Sequence, residues 1–303
     1  MSSAEMGRTE SAFEEIRSRG QRALDAGQME EAVAILQSAV DLAVAQGDAR
    51  LIDVTRCNRA AAMVELGRGA GEVPQLREIL VRNSDAVSCR IAAYTIARHY
   101  ELTKNYKKAL FYARLTLDRS RVIGRGDWLA SSHNLMGNTL LAESFVDEAS
   151  AEYEQALELV TEEPSQARAR ILDNLGYCRI LQRRYREGYR LLYGSLKLFR
   201  QLGTRKYEIV PRLDLCFSHL ETGRYRLAQR QGSVALALAE SIGDGEAMKN
   251  ALYLLGEVAN LMGESHAATG YFTRLHREFF PQAEYLPGFL MAVDIRKMVN
   301  LHA

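Results

Sequence analysis

Small residues recur about every forty positions along most of this 303-residue chain. The series comprises Gly20, Ala60, Ala97, Gly137, Gly176, Cys216 and Gly256. A second small residue follows most of these twelve positions later, at Ala32, Ala109, Ala149, Gly188, Ala228 and Ala268. A period of this length is typical of stacked helical repeats, whose units bury their apolar faces against neighbouring units. The spacing therefore predicts a repeat array rather than a globular enzyme fold.

Each unit contains two stretches with the apolar spacing of amphipathic helices. In the fourth unit these stretches run from Trp128 to Ala142 and from Asp147 to Leu159. Small side chains allow two antiparallel helices to approach closely where they cross. Large residues should fill the space around each crossing, and they follow the second small residue by four positions: Leu36, Tyr153, Leu192 and Phe272.

Several segments carry this small–large–small order with a turn between the helices. Examples are RGQRALDAGQMEEAVAILQSAV, which starts at Arg19, and NLGYCRILQRRYREGYRLLYGSL, which starts at Asn174. Over residues 10–278 the chain resembles the tetratricopeptide repeat superfamily in a long form of about forty residues per unit. The resemblance implies an all-α, right-handed α-solenoid of about seven helix–turn–helix repeats with a C-terminal capping helix.

The sequence divides into three parts on this interpretation. Residues 1–9 form a flexible N-terminus, residues 10–278 form the array, and residues 279–303 form a loop and the capping helix. The second repeat is degenerate near 67–74, where Gly67, Gly69, Gly71 and Pro74 crowd the turn. Glu72 stands where a small residue is expected, so the second helix of this repeat should be short.

The expected capping helix runs from Gly288 to Leu301 and is apolar on more than one side. Repeat arrays need a terminal element to cover the last open face. A contact with a partner, or with a second copy of the chain, would use the same apolar surface, and the oligomeric state stays open.

The resemblance also implies that the first helices of the units line a concave groove that binds a peptide. The candidate groove residues are Asn58, Tyr94, Arg98, Asn134, Asn138, Asp173, Asn174 and Tyr177. An asparagine amide offers a donor and an acceptor together, which suits the backbone of an extended peptide. The alternative is that these asparagines bond only to neighbouring helices or water. A C-terminal carboxylate is a poor candidate ligand, because Ile91 and Thr95 stand where two cations are needed.

A second candidate surface is basic. Residues 168–230 contain 15 Lys or Arg and five Asp or Glu, although the whole chain has a net charge of only +1. Stacking should place two inter-helix turns side by side as a basic ridge, formed by Arg183, Arg184, Arg186, Arg224 and Arg226. Such a ridge favours an acidic partner or a phosphate backbone. The alternative is a solvated edge with local ion pairs, and nucleic acid is the weakest of these hypotheses.

No pattern of catalytic, metal-ligating or cofactor-binding residues is found. The histidines show no paired metal spacing, and no phosphate-binding loop or nucleophile elbow occurs. No apolar run reaches the 18 residues of a membrane span, and the N-terminal residues lack the apolar core of a signal peptide. The four cysteines lie in helical patterns and should be free and buried in a reducing compartment. We expect a cytoplasmic, non-catalytic protein without a cofactor.

Three hypotheses of function remain from the sequence. The chain is an adaptor that holds a peptide segment of an unidentified partner in its groove, or a regulatory sensor whose superhelix responds to a peptide or small ligand. The third and weakest hypothesis is a nucleic-acid-associated subunit that uses the basic ridge.

Overall fold

The computed structural model describes residues 13, 15–20, 22–24, 28–83, 85–161 and 164–302. Within these ranges all regular structure is helical, which confirms the all-α prediction. The chain divides into two compact units, residues 1–139 and 140–303, and each is described by itself. The expected flexible segment 1–9 lies outside the described residues.

Most helices of the first unit form consecutive antiparallel pairs, as the repeat pattern predicts. Residues 15–20 and 22–24 are helical and precede the helices α1 (Met29–Gln46), α2 (Ala49–Glu65), α3 (Val73–Arg82), α4 (Ala86–Leu102) and α5 (Tyr106–Ile123). Helix α6 (Gly126–Ala142) contains the boundary between the units.

The second unit continues with helix pairs of the same kind. Its helices are α7 (Val146–Leu159), α8 (Gln166–Leu181), α9 (Tyr185–Gln201), α10 (Ile209–Glu221), α11 (Tyr225–Ile242), α12 (Gly245–Leu261), α13 (Ser265–Phe279) and α14 (Leu286–Ala292). Helices α8, α10 and α12 are first helices of their repeats and pack side by side, whereas α9, α11 and α13 are second helices.

Small residues occur where a side chain would collide with the partner helix. A Cβ atom on Gly176 would lie 2.9 Å from Leu192, and one on Gly256 would lie 2.3 Å from the Phe272 ring. Both large residues belong to the predicted set that fills the helix crossings. The repeat of small residues is therefore a repeat of close helix contacts.

Several helix boundaries follow local chemistry that the sequence displays. Asp48, Ser165 and Asp244 each accept a hydrogen bond from a backbone N–H in the first turn of the following helix. Such a cap satisfies a donor that has no partner within the helix. The C-cap residues Gly47 and Gly243 have φ angles of 71° and 70°, a left-handed conformation that suits glycine.

The second repeat differs from the others in its turn and its second helix. A short 3₁₀ turn covers Gly69–Gly71, and α3 has only 10 residues. The Glu72 carboxylate accepts two hydrogen bonds from Arg59, at 3.0 and 2.7 Å. This partly buried ion pair explains how an acid is tolerated at a position that is small in most other repeats.

The C-terminal helix is shorter than the sequence pattern predicts, because α14 ends at Ala292 and not at Leu301. Val293 is extended, and the Asp294 carboxylate accepts a hydrogen bond from the backbone N–H of Arg296 at 3.0 Å. Such an aspartate turn competes with helical hydrogen bonding. Beyond a single 3₁₀ turn at Arg296–Met298, the chain to His302 is not helical.

The four cysteines, Cys57, Cys89, Cys178 and Cys216, are buried and free, as predicted. Burial raises the pKa of the Cys216 thiol to about 12. Such thiols stay protonated at neutral pH and behave as small apolar side chains.

Candidate functional site

The chain after α14 lies across the first helices of the second unit. We call residues 293–302 the C-terminal segment, and we call the side of α8, α10 and α12 that it covers the first-helix face. From one end to the other, this stretch of chain contacts α12, α10, α8 and the end of α6 in turn. The segment thus occupies the side where the sequence predicts a peptide groove.

The last residues of the segment are held by polar contacts and ring stacking. The His302 Nε2 atom lies 3.1 and 3.0 Å from the two carboxylate oxygens of Asp214. The His302 ring stacks on Tyr177, with ring centroids 4.3 Å apart. Beside this contact, the Leu301 backbone N–H donates to the Tyr177 hydroxyl at 3.4 Å, and the Asn300 amide donates to the Leu141 carbonyl at 2.8 Å.

Arg296 anchors the other end of the segment. Its guanidinium donates to Glu221 on α10 at 3.3 Å and lies 3.9 Å from Glu257 on α12. Asp294 holds the same guanidinium in place with a contact of 2.6 Å. These contacts fix a cation above two carboxylates of neighbouring repeats.

The segment has an inner and an outer side. Ile295, Val299 and Leu301 pack against the apolar core of the second unit. Lys297 and Met298 point outward, and Met298 is 84% exposed. The segment therefore lies on the surface, with one side on the helices and the other in solvent.

Three acidic side chains lie buried beneath the segment, and their environment disfavours their charge. Burial, reinforced by Asp214, raises the pKa of Asp173 well above its usual value. Burial also raises the pKa of Asp214, although His302 opposes the shift. The pKa of Glu257 rises to about 7, mainly through burial and then through Asp294. Buried carboxyls of this kind favour a proton or a cationic partner.

Polar atoms beneath the segment are left without partners. Asp173 Oδ1, Glu257 Oε1 and the Tyr253 hydroxyl are buried and have no hydrogen-bond partner among the described residues. Buried polar groups are normally paired. The C-terminal segment therefore covers the first-helix face without supplying hydrogen-bond partners to all of its buried polar atoms.

The residues predicted for the groove are split between the two units. Asn58, Tyr94, Arg98, Asn134 and Asn138 lie in the first unit and are all half-buried. Asp173, Asn174 and Tyr177 lie on α8 in the second unit.

Two of the first-unit candidates are engaged by side chains of that unit. The Arg98 guanidinium pairs with Glu65 at 3.1 Å and with Glu101 at 2.6 Å. The Arg90 guanidinium lies 5.3 Å from the centre of the Tyr94 ring. These contacts hold both side chains in place on α4.

In the second unit, the structure adds residues that the sequence-based selection omits. Tyr177 is buried under the C-terminal segment, Asp173 is also buried rather than open to solvent, and Asn174 is half-buried. Asp214, Glu221 and Glu257 carry the polar contacts with the segment, although none of them is among the candidate groove residues. A usable signal was present, because Asp214 and Glu257 stand within mostly apolar stretches of α10 and α12, and a charged residue in such a stretch is expected to be buried with its neighbours.

The structure brings the two turns of the basic ridge together. A cavity of about 570 Å³ is lined by Tyr185, Arg186, Tyr189, Tyr193, His219, Thr222, Arg224 and Leu227. Arg183, Arg184, Arg186, Arg224 and Arg226 are all exposed. Arg184 pairs with Glu187 at 2.6 Å, and the Arg224 guanidinium lies 5.2 Å from the Tyr189 ring centre. Some arginines of the ridge are thus engaged by neighbouring side chains, and the others face solvent.

None of the described helices combines the length and apolar character that a membrane span requires.

Comparisons with known proteins give matches only at the level of structure. No protein-family model matches the chain, and no curated protein matches it. A Rap protein complexed with Competence and Sporulation Factor matches with a TM-score of 0.74 and 11% identity, over 93% of this chain and 80% of that one.

Two further structures match with lower TM-scores. The type IV pilus biogenesis factor PilW matches with a TM-score of 0.60 and 18% identity, over 79% of this chain and 98% of that one. A tetratricopeptide repeat protein from Parabacteroides merdae matches at 0.55 and 13% identity, over 93% and 98% of the two chains. Together with the paired helices and their small-residue crossings, these matches show that the chain has the fold of the tetratricopeptide repeat superfamily.

Proposed function

We propose that this protein is a non-catalytic binding protein that takes up an extended peptide segment of a partner on the first-helix face of its second unit. The observation that carries the proposal is the C-terminal segment itself, which lies across α12, α10 and α8 and is held by Arg296 and His302. A partner peptide would take the place of this segment. The fold match to a Rap protein complexed with Competence and Sporulation Factor supports a binding role.

The covered face favours a regulated form of binding over a passive one. Because the segment and a partner peptide would compete for one surface, binding releases the segment into solvent. This exchange makes the sensor hypothesis more specific, since the released segment is itself a signal that binding has occurred. The first-unit candidates Asn58, Tyr94, Arg98, Asn134 and Asn138 remain proposed peptide contacts of that unit by itself.

A peptide selection tests this function directly. A random linear peptide library is panned against the wild-type chain and against a full-length Arg296→Ala/His302→Ala chain, whose segment has lost both anchors. We expect the variant to enrich peptides that the wild-type chain captures weakly. These peptides should cross-link to a photoreactive residue placed at position 217 on α10.

A chain that ends at Ala292 provides a second version of the open face. Circular dichroism establishes that each chain is folded before panning. Peptides that bind the wild-type and variant chains equally well, or that cross-link only outside the second unit, would contradict the proposal.

The basic ridge supports a second candidate surface. Exposed arginines next to a cavity lined by tyrosines suit an acidic segment of a partner protein. Binding there should weaken with salt and should be abolished by Arg183→Glu/Arg186→Glu/Arg226→Glu. Nuclease treatment should leave it unchanged, whereas loss of binding on nuclease treatment would point to a nucleic acid instead.

A further inference from the structure

The two side chains that anchor the C-terminal segment are cationic or become so on protonation, and their contacts on the first-helix face are acidic. Arg296 meets Glu221 and Glu257, and His302 meets Asp214. The charges are therefore complementary at both ends of the segment. An acidic segment in this place would face carboxylates on both α10 and α12.

The first-helix face has more acidic side chains at this contact than the segment has basic side chains to meet them. Asp173 is only 3% exposed, and its Oδ1 atom has no partner among the described residues. It lies near Asp214, and the proximity of the two carboxyls contributes to the raised pKa of Asp173. The His302 imidazole contacts Asp214, whereas Asp173 Oδ1 stays without a partner among the described residues.

A second oxygen is unsatisfied where Arg296 binds. Glu257 Oε1 has no partner among the described residues, and the nearest approach of the guanidinium to the other oxygen, Oε2, is 3.9 Å. A carboxyl that gives up its proton only accepts hydrogen bonds, so a cationic group that donates N–H bonds would both satisfy these oxygens and stabilise the charged form. A guanidinium carries five N–H donors in a planar fork that matches carboxylate geometry.

The inward and outward positions around the two anchors define the remaining features of a ligand. Ile295, Val299 and Leu301 face the helices between and beside Arg296 and His302, whereas Lys297 and Met298 face solvent. A ligand in the same place needs apolar side chains at the inward positions. It tolerates any residue at the outward ones.

We propose that the partner peptide of the first-helix face carries two basic side chains, an arginine for Glu221 and Glu257 and an arginine or histidine for the Asp173–Asp214 pair, separated as Arg296 and His302 are. On this proposal, which rests on the proposed function, the C-terminal segment is a weaker imitation of the partner. A partner with arginine at both positions supplies the donors that the segment lacks and displaces it.

The probe for this proposal is a synthetic peptide with the sequence of residues 293–302, acetylated and amidated so that its ends add no charge. The receptor is the full-length Arg296→Gln/His302→Gln chain, and binding is measured by fluorescence anisotropy. The matched control is the peptide with Lys297→Gln, which removes one positive charge from the solvent side only.

We expect the control peptide to bind within about twofold of the parent peptide, because an exposed charge contributes little. The peptide with Arg296→Gln and His302→Gln should bind at least about thirtyfold more weakly, because two charge-assisted contacts are lost. The peptide with His302→Arg should bind about threefold or more tightly than the parent, because it gains donors for the aspartate pair.

The receptor provides an independent check. Asp214→Asn in the receptor should weaken the parent peptide and leave the Arg296→Gln/His302→Gln peptide almost unaffected, since that peptide brings no cation to the pair. Equal binding by all the peptides would overturn selection for basic residues and leave the proposed function intact. If no peptide binds a receptor whose circular dichroism matches the wild-type chain, the proposed function itself fails.

Discussion

Gly256 illustrates how one residue sets the distance between two helices in this fold. The Phe272 ring fills the space that a side chain at Gly256 would need, and a Cβ atom there would lie 2.3 Å from the ring. The regular recurrence of small residues made this crossing predictable from the sequence. The large residue at the crossing was also predictable in four repeats, because it follows the second small residue by four positions there.

Gly256→Ala should lower the free energy of unfolding by about 2 kcal/mol, because the added methyl overpacks the crossing. The control is Gly270→Ala on α13, where a Cβ atom would meet nothing within 4 Å. That change should be neutral or stabilising by up to about 1 kcal/mol through helix propensity. Urea denaturation of the two variants checks the difference, and equal effects would contradict the account of the crossings.

The backbone at Arg183 is strained, because its turn requires a left-handed conformation. It has a φ of 61°, and the matching turn positions of the next two repeats are Gly223 and Gly263, with φ of 70° and 76°. Arg183→Gly should therefore raise the free energy of unfolding by about 1 kcal/mol, since glycine tolerates the left-handed conformation. Arg183→Ala removes the same side chain but keeps the strain, so it should give no such gain in thermal or chemical unfolding.

Glu257 makes stability depend on pH. Its pKa is raised to about 7 in the folded chain from an ordinary value of 4.5, mainly by burial. Between these values the folded state binds more protons than the unfolded state, so the free energy of unfolding falls as pH rises. The loss due to this carboxyl should be about 3 kcal/mol, complete by about pH 8.

Glu257→Gln should flatten this part of the pH profile, although Asp173 and Asp214 contribute slopes of the same sign. The exposed Glu148→Gln serves as the control and should retain the wild-type slope. Urea titrations from pH 4.5 to pH 8 measure both variants, and an unchanged slope in Glu257→Gln would show that this carboxyl is not responsible.

At the scale of elements, the repeat pattern predicted the helix pairs and many of their ends. Caps such as Asp48 and Asp244, and left-handed glycines such as Gly47, are local features with local causes, so a single sequence displays them. The sequence pattern predicted too long a C-terminal helix, because the apolar residues of the segment suggested an amphipathic helix. Their burial comes from contacts with distant helices, and no local pattern records such contacts.

The C-terminal segment should behave as a separately released element. Arg296→Ala/His302→Ala should increase cleavage after Lys297 by a lysine-specific protease by about tenfold or more, because cleavage requires local detachment of the chain. The control Met298→Ala alters an outward side chain and should leave the rate unchanged. Mass spectrometry of the fragments measures both rates, and a rate that stays at the wild-type value in the anchor variant would mean that the two residues do not hold the segment.

At the scale of the whole molecule, the forty-residue period was sufficient for the class of fold, because most repeats carry small residues at the same two positions of the crossing. The candidate site was predicted only in part. Tyr177 and Asp173 were selected from their positions on a first helix, but Asp214 and Glu257 acquire their role from a segment far away in sequence. Contacts between residues 88 apart or more, such as His302 with Asp214, depend on the completed fold.

The central claim is that residues 293–302 cover the first-helix face of the second unit. Carboxyl footprinting with a carbodiimide and an amine, read by mass spectrometry, measures the accessibility of Asp214 and Glu257. Labelling of both should be low in the wild-type chain and should rise at least about tenfold in the Arg296→Ala/His302→Ala chain and in the chain that ends at Ala292. The exposed Glu148 should label equally in all three. Strong labelling of Asp214 and Glu257 in the folded wild-type chain would contradict the claim.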